Sequence, residues 1–575
     1  MSTSTRLAAL AILAAALPLA CNDDTTNASD GGTSIGGSDE IGDTTTTNGE
    51  SSSTNGESTS TDADSSSTDA DSSSTDADSS STDADSSSTD ADSESTTEAK
   101  LDMMMDPDMM GPPGPVIPET CDQALQGNST VGCLFYGVDL DSHDAAENQQ
   151  FAIAVSNVQQ GQVANVVIER KQGNVWNPVA GPAMVNPLSL QTFNLAAFNQ
   201  DDSGIKAGGA YRVTSDVPII AYQFNPVDGS TSYLSDASML YPVPTWDRFN
   251  QVVGWRVIDD GFGVQGAYVT IVAAVDGTQV TVTPSTSTLA GPGVPAGQAN
   301  VPFMIMLNEG DIAEVMTKGL GQGLTGTRIE TPDVDHPVAV FSGNECTFIP
   351  ANVYACDHLE EQISGVRLWG MHFIASRVPP RSNTPDTSLW QIYASEDGTQ
   401  VTLSANPAVT GLPNNNFMLN AGQVMEFYAG GTAAHPGDFE VEASKPIAVL
   451  NYMTGAENPG AAGTGDPAMV QLSPVEQFLP RYVVLVPGTW NNDVAVLARE
   501  AGNEVLLDGV PVANNLFIPV ANSGYEVARV PVSDGVHVFD GGDNAFSVVI
   551  LGYDSYDSYA YLGGTGTGII NPDPQ

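Results

Sequence analysis

The chain has 575 residues, 17 basic against 70 acidic, a net charge of −53 and a charged fraction of 15%. So few cations exclude unaided nucleic-acid binding, which needs Lys and Arg to neutralise phosphates, and docking on anionic lipid headgroups through a basic patch. Its 57 Gly and 37 Pro, against six Trp, point to a turn-rich chain long enough for several domains.

Residues 1–20 read as a signal peptide: Arg6 gives a positive start, and residues 7–19 form an apolar run interrupted only by Pro18. The run is too short to span a hydrocarbon core, which takes about 20 residues as a helix. No later stretch reaches about 18 apolar residues, so no second membrane segment is expected. The segment Leu17-Pro18-Leu19-Ala20-Cys21 resembles a bacterial lipobox, in which the Cys becomes the lipidated first residue of the mature protein. Ala20 and Cys21 match that pattern, whereas Pro18 and Leu19 depart from it. The plain alternative is cleavage after Ala14-Ala15-Ala16 and release. The expected location is the outer membrane or cell surface as a lipoprotein, otherwise secretion, with membrane contact through the lipid anchor only.

Residues 21–117 read as a disordered Ser/Thr/Asp-rich tether. Ser-Ser-Ser-Thr-Asp-Ala-Asp repeats through its centre, and the segment carries 23 acids and one base, Lys100. With only Ala even weakly apolar, the seven-residue period has no seam to bury, so it cannot form a coiled coil or offset its ordering entropy. The Asp-Ala-Asp pairs lack the Gly and distal Glu of an EF-hand loop. Met103, Met104, Met105, Met109 and Met110 close the tether in a Pro/Gly-rich hinge without the rigid frame a soft-metal site needs.

From about residue 118 to 575 the composition turns β-rich, with short Val, Ile, Tyr, Phe and Thr runs between turn residues. A pattern recurs over about 148–245, 251–370, 373–480 and 481–567. In it, one apolar run is followed by a turn and an alternating run. The clearest copies are Tyr268 to Val275, Asp276-Gly277, then Thr278 to Thr283, and Trp390 to Ala394, Asp397-Gly398, then Thr399 to Leu403. Asp-Gly accepts φ > 0 and predicts a two-residue hairpin. A second run follows at Pro218, Pro337 and Pro446, each read as the first residue of a strand because Pro lacks an N–H, and at Phe546 without a Pro. The fold class expected is all-β: tandem antiparallel β-sandwich repeats of Greek-key or jelly-roll type. A β-propeller with two blades per repeat is the alternative.

Three stretches carry a resemblance: Ser235 to Pro242 (SDASMLYP), Leu324 to Thr327 (LTGT), and Pro337 to Gln362 (PVAVFSGNECTFIPANVYACDHLEEQ) followed by Trp369-Gly370. Together they resemble the N-terminal domain family of IgG Fc-binding protein, here as a bacterial lipoprotein-type member, over roughly Phe135 to Tyr482. The resemblance implies an extracellular, non-enzymatic binding domain. The acidic tether, and the lack of the animal protein's other cysteine-rich modules, depart from it.

Besides Cys21, the cysteines form two local pairs, Cys121 with Cys133 and Cys346 with Cys356, which in an exported protein imply two disulfides. Their spacing does not match a zinc site with His358. A disulfide would also consume the thiol of a Cys356–His358 nucleophile and base. Glu360 and Glu361 read as a polar loop or as hydrogen-bond partners of His358. Gly32-Thr33-Ser34-Ile35-Gly36 lies in the tether, where no nucleophile elbow forms, and Gly261-Phe262-Gly263-Val264-Gln265-Gly266 reads as a turn leading into a strand. No catalytic residue and no metal ligand are assigned, and no cofactor is expected apart from a structural Ca²⁺ that Asp259, Asp260, Asp493 or Asp543 would admit. The function expected is a cell-surface or secreted binding or adhesion protein with an extracellular protein or glycan partner and no nucleic acid. A secreted glycan-acting hydrolase or a structural envelope component is the alternative.

Overall fold

The computed structural model describes residues 117–227, 234–382, 386–572 and 574. The leader, Cys21, nearly all of the tether and its Met cluster lie outside them. Among the described residues no helix is long and apolar enough to cross a membrane. The fold is all-β and antiparallel, as the alternating runs predict. Among the described residues the one α-helical turn, Cys121–Ala124, starts at Thr120, whose hydroxyl accepts from the Gln123 N–H at 3.3 Å.

One strand pattern recurs four times. A central strand pairs on one side with an earlier apolar strand and on the other with a short strand that ends the repeat. In the first repeat Tyr211–Asn225 lies between Phe151–Asn157 and Asp236–Met239. The equivalents are Val338–Thr347 between Ala267–Ala273 and Asp357–Gln362, then Phe439–Tyr452 between Thr387–Ala394 and Met469–Gln471. The last is Phe546–Asp554 between Asp493–Glu500 and Asp557–Leu562. A second layer completes each sandwich. In the second repeat it runs Phe249–Gln251, Arg328–Glu330, Thr278–Thr283, Phe303–Leu307.

The Asp-Gly turns do not make hairpins. Ala267–Ala273 and Thr278–Thr283 belong to different sheets, and Thr387–Ala394 and Thr399–Ala405 each pair with Phe439–Tyr452 instead of with each other. The chain arches from one layer of the sandwich to the other. Gly277 and Gly398, at φ 75° and 68°, supply the left-handed residue, and the next Thr locks the corner by donating from its hydroxyl to the Val275 or Glu396 carbonyl at 2.7 Å. The motif therefore reports backbone conformation and not pairing.

The proline reading also shifts. Pro218 and Pro446 sit inside strands Tyr211–Asn225 and Phe439–Tyr452, at breaks where the partner's register jumps from Thr214 to Ile219 and from Glu442 to Ile447. The bulge carries the strand from one layer into the other, and a missing N–H costs nothing there. Only Pro337 stands just ahead of its strand, Val338–Thr347.

The four repeat-ending strands lie against one another in a closed ring: Asp236–Met239 against Asp357–Gln362, that against Met469–Gln471, that against Asp557–Leu562, and the last back against the first. One strand per repeat faces this axis. Interlocked aromatics bury the junctions. Tyr222 meets Tyr561 at 4.6 Å between ring centroids across the first and fourth repeats, and Trp255 meets Tyr452 at 5.9 Å across the second and third. Each fully buried side chain of this size contributes on the order of 2–3 kcal/mol of transfer free energy, so the repeats depend on their neighbours.

Candidate functional site

The axis buries several carboxyl groups, among them Asp236, Asp357, Glu360, Glu361 and Asp466. Asp236, fully buried, accepts a backbone N–H from every repeat: Ala237 at 2.9 Å, Glu360 at 3.2 Å, Met469 at 3.3 Å and Ala560 at 3.4 Å. Burial pushes its carboxyl well up, and the four N–H groups pull against that shift. Asp357 and Asp466, at equivalent places in the second and third repeats, lie carboxyl against carboxyl and are both fully buried. Burial pushes both well up, with the Asp466 charge adding to the rise at Asp357 and the Asp557 charge adding to that at Asp466.

Glu360 and Glu361 are not a polar loop. They lie on strand Asp357–Gln362, every residue of which is buried, because this strand faces the axis and not solvent. The Gln223 amide donates to Glu360 at 3.0 Å, and the Gln471 N–H to Glu361 at 3.4 Å. His358 is fully buried, with Nε2 3.3 Å from the Tyr268 hydroxyl, and burial pushes its imidazole down to about 3, which keeps it neutral. Neither Glu is a hydrogen-bond partner of this His. Cys356 is joined to Cys346 and Cys121 to Cys133, so no thiol stands beside His358. The Cys346–Cys356 loop packs on the third repeat, where the Gly455 N–H donates to the Ile349 carbonyl at 2.6 Å and the Glu457 N–H to the Tyr354 carbonyl at 2.9 Å. These acids are sealed from any substrate and serve the ring.

The accessible candidate is a cleft of about 550 Å³ between the second and third repeats, within the usual range of ligand pockets. Gln251 and Arg328 come from the outer layer of the second repeat, and Tyr393 and Lys445 from the third. The Tyr393 hydroxyl donates to the Gln251 side-chain Oε1 at 2.7 Å and fixes the floor. Lys445 is tied to Glu396 at 3.2 Å and to the Asp397 carbonyl at 2.8 Å. Arg328 is exposed and makes no ion pair among the described residues. Gly326, in the LTGT turn, faces the Gly422 turn at the mouth of the cleft. The lining is polar, presents a free guanidinium and contains no nucleophile paired with a base. It is equipped to hold a ligand by hydrogen bonds.

The loop acids read as possible calcium ligands are scattered. Asp259 and Asp260 accept backbone N–H groups inside their own tight turn, with Asp260 also 3.2 Å from His143. That turn, at Gly261 to Gly266, is the short hairpin Ile258–Asp259 with Val264–Gln265 and leads into a strand as expected. Asp493 accepts from the Tyr559 hydroxyl at 2.7 Å, and Asp543 is exposed elsewhere in the fourth repeat. A different trio, Asp141, Glu147 and Asp201, does converge. The run Asp139 to Glu147, four acids in nine residues, is the signal that could have drawn attention to it.

A family model described as IgGFc binding protein matches residues 236–552. A search of curated proteins finds no match for the chain.

Proposed function

We propose, from the premise that this chain belongs to the IgGFc-binding protein family, that it is an exported, non-enzymatic binding protein. Its β-ring presents the cleft between the second and third repeats to an extracellular protein or glycan. The observation that carries this reading is the cleft itself: polar, open, built across a repeat junction, bordered by the LTGT turn, and offering an exposed Arg328 that makes no ion pair among the described residues. Arg is enriched among residues that dominate binding energy because its planar fork pairs with carboxylates and carbonyls. Residues 1–20 and Cys21 would export and anchor the protein, and the anionic tether would hold the ring away from the surface. As a flexible chain its ~95 residues reach about 50–55 Å, and more when self-repelling.

The test is a binding screen of the full-length protein against immobilised glycans, extracellular proteins and the Fc fragment that the family's description names. We expect a ligand whose affinity falls at least tenfold with Arg328→Ala and which is released unchanged. Turnover of any bound glycan would end the non-enzymatic reading, and binding indifferent to Arg328 would move the site away from this cleft.

A further inference from the structure

We propose that the first repeat carries a divalent-cation site of the calcium class, formed by Asp141 and Glu147 of the loop before strand Phe151–Asn157 and by Asp201, and backed by Glu314 of the second repeat beside Asp141. Carboxylate oxygens of Asp141, Glu147 and Asp201 all lie within 4.8 Å of one another. Calcium binds oxygen at about 2.3–2.6 Å, so ligands on opposite sides of one ion stand up to about 5.2 Å apart and the three oxygens fall within that span; its flexible coordination suits an irregular loop set better than the near-ideal octahedron magnesium demands. The donors are all hard oxygens, with no thiolate or imidazole among them, which disfavours zinc and copper.

Two buried oxygens show that this is a built site and not merely a group of surface acids. Asp141 is fully buried. Its Oδ2 accepts the Asp202 N–H at 3.2 Å, while Oδ1 has no hydrogen-bond partner. Glu314, 1% exposed on strand Ile312–Thr317, lies beside Asp141. One of its oxygens meets the Thr270 hydroxyl at 3.5 Å, and Oε1 has no partner. An unpartnered buried carboxylate oxygen is costly, and two side by side are more so.

The nearby cations are engaged elsewhere. Lys206 donates to the Phe198 and Asn199 carbonyls, Lys318 to Asp202 at 2.8 Å and Glu345 at 3.1 Å, and His143 faces Asp260. Glu147 is half-buried and Asp201 exposed, which leaves an access path and room for the waters that complete a calcium shell. Strand Gly204–Lys206, just after Asp201, pairs with Ile312–Thr317, so the ion would rivet the first repeat to the second.

The experiment is calcium titration of the chelator-treated full-length protein, by calorimetry and by thermal unfolding, beside four variants: Asp141→Asn, Glu314→Gln, Glu147→Gln and Asp201→Asn. The tether is common to all of them, so weak binding by its acids cancels. The parent is expected to gain several degrees in Tm at millimolar calcium, with a smaller response to magnesium. Each variant is expected to bind at least tenfold more weakly. Asp141→Asn and Glu314→Gln should in addition raise the Tm of the metal-free protein, because each removes a buried charge. If either buried variant fails to fold, the two at the accessible side decide. A parent without a calcium response, or one matched by Glu147→Gln and Asp201→Asn, overturns the site.

Discussion

Asp236 shows how one carboxylate can serve four repeats. Its two oxygens take the N–H groups of Ala237, Glu360, Met469 and Ala560. Asp236→Ala leaves four buried donors without a partner and is expected to cost about 3 kcal/mol or more, read from urea denaturation. Asp236→Asn, which keeps an acceptor oxygen, should cost clearly less. Equal stability of the two variants would show that the carboxylate is not the acceptor it resembles. Asp493 gives the pH counterpart. Burial pushes its carboxyl from 3.8 up to about 7, with the Asp534 and Asp554 charges adding to the rise and the Tyr559 hydroxyl opposing it. A carboxyl raised in the folded state contributes stability that is complete below about pH 4 and lost as pH climbs to about 7. Asp493→Asn should therefore leave Tm unchanged near pH 4 and raise it by ~1–3 °C at pH 8, checked by scanning calorimetry across that range.

The repeat-ending strands show what could be read in advance and what could not. SDASMLYP becomes Asp236–Met239 and its exit, and the Cys346 to Gln362 stretch becomes the disulfide loop and strand Asp357–Gln362. Two of the three segments that carried the family resemblance therefore build the axis, while the third, LTGT, borders the cleft. They speak for architecture and carry no ligand signature. Alternation of apolar and polar residues revealed the outer strands, such as Thr278–Thr283. It failed for Asp357–Gln362, whose His, two Glu and Gln look solvated until three other repeats close over them. The cleft was equally hidden, since Gln251, Arg328, Tyr393 and Lys445 lie far apart in the chain and only the packing of two sandwiches brings them together. The Cys346–Cys356 loop sits on this same element and bonds to the third repeat at Gly455 and Glu457. Replacing both cysteines with Ser is expected to cost ~2–3 kcal/mol from loop-closure entropy. It should also raise hydrogen exchange in Asp357–Gln362 above that in strand Thr278–Thr283, which lies in another sheet. Uniform exchange in the two strands would mean that the loop does not protect the axis.

At the scale of the whole ring, closure depends on the two ends of the described chain meeting. The Thr130 N–H donates to the Thr565 carbonyl at 3.2 Å, and the Thr567 N–H to the Asn128 carbonyl at 3.1 Å, with Ser129 bridged to Gly566. Beyond that point the chain runs on to the second repeat, where the Ile570 and Asn571 N–H groups donate to the Arg367 carbonyl at 3.1 and 3.0 Å. The Gly566 N–H also donates to the Gln477 carbonyl of the third repeat at 2.8 Å, so residues 563–571 touch all four repeats. The repeat pattern in the sequence allowed either independent beads or one closed assembly, because a periodic sequence is the same in both. What separates them is long-range contact, such as Tyr222 with Tyr561, and hydrophobic clusters that cross the repeats: one runs from Phe135 through Trp390 to Leu562, and a second joins Trp255 of the second repeat to Leu389 and Tyr452 of the third. Four sandwiches joined by cores that cross their boundaries and by one axial acceptor should unfold together. Calorimetry of the full-length protein is expected to show one transition for the β region, with the van't Hoff enthalpy well above that of one repeat. Deleting residues 565–575 should lower that transition by ~5 °C or more while keeping it single, since the seam it opens belongs to the whole ring. Separate transitions in the intact protein, or a deletion that softens only the fourth repeat, would mean that the repeats are beads on a string and that Asp236 binds neighbours whose stability does not depend on it.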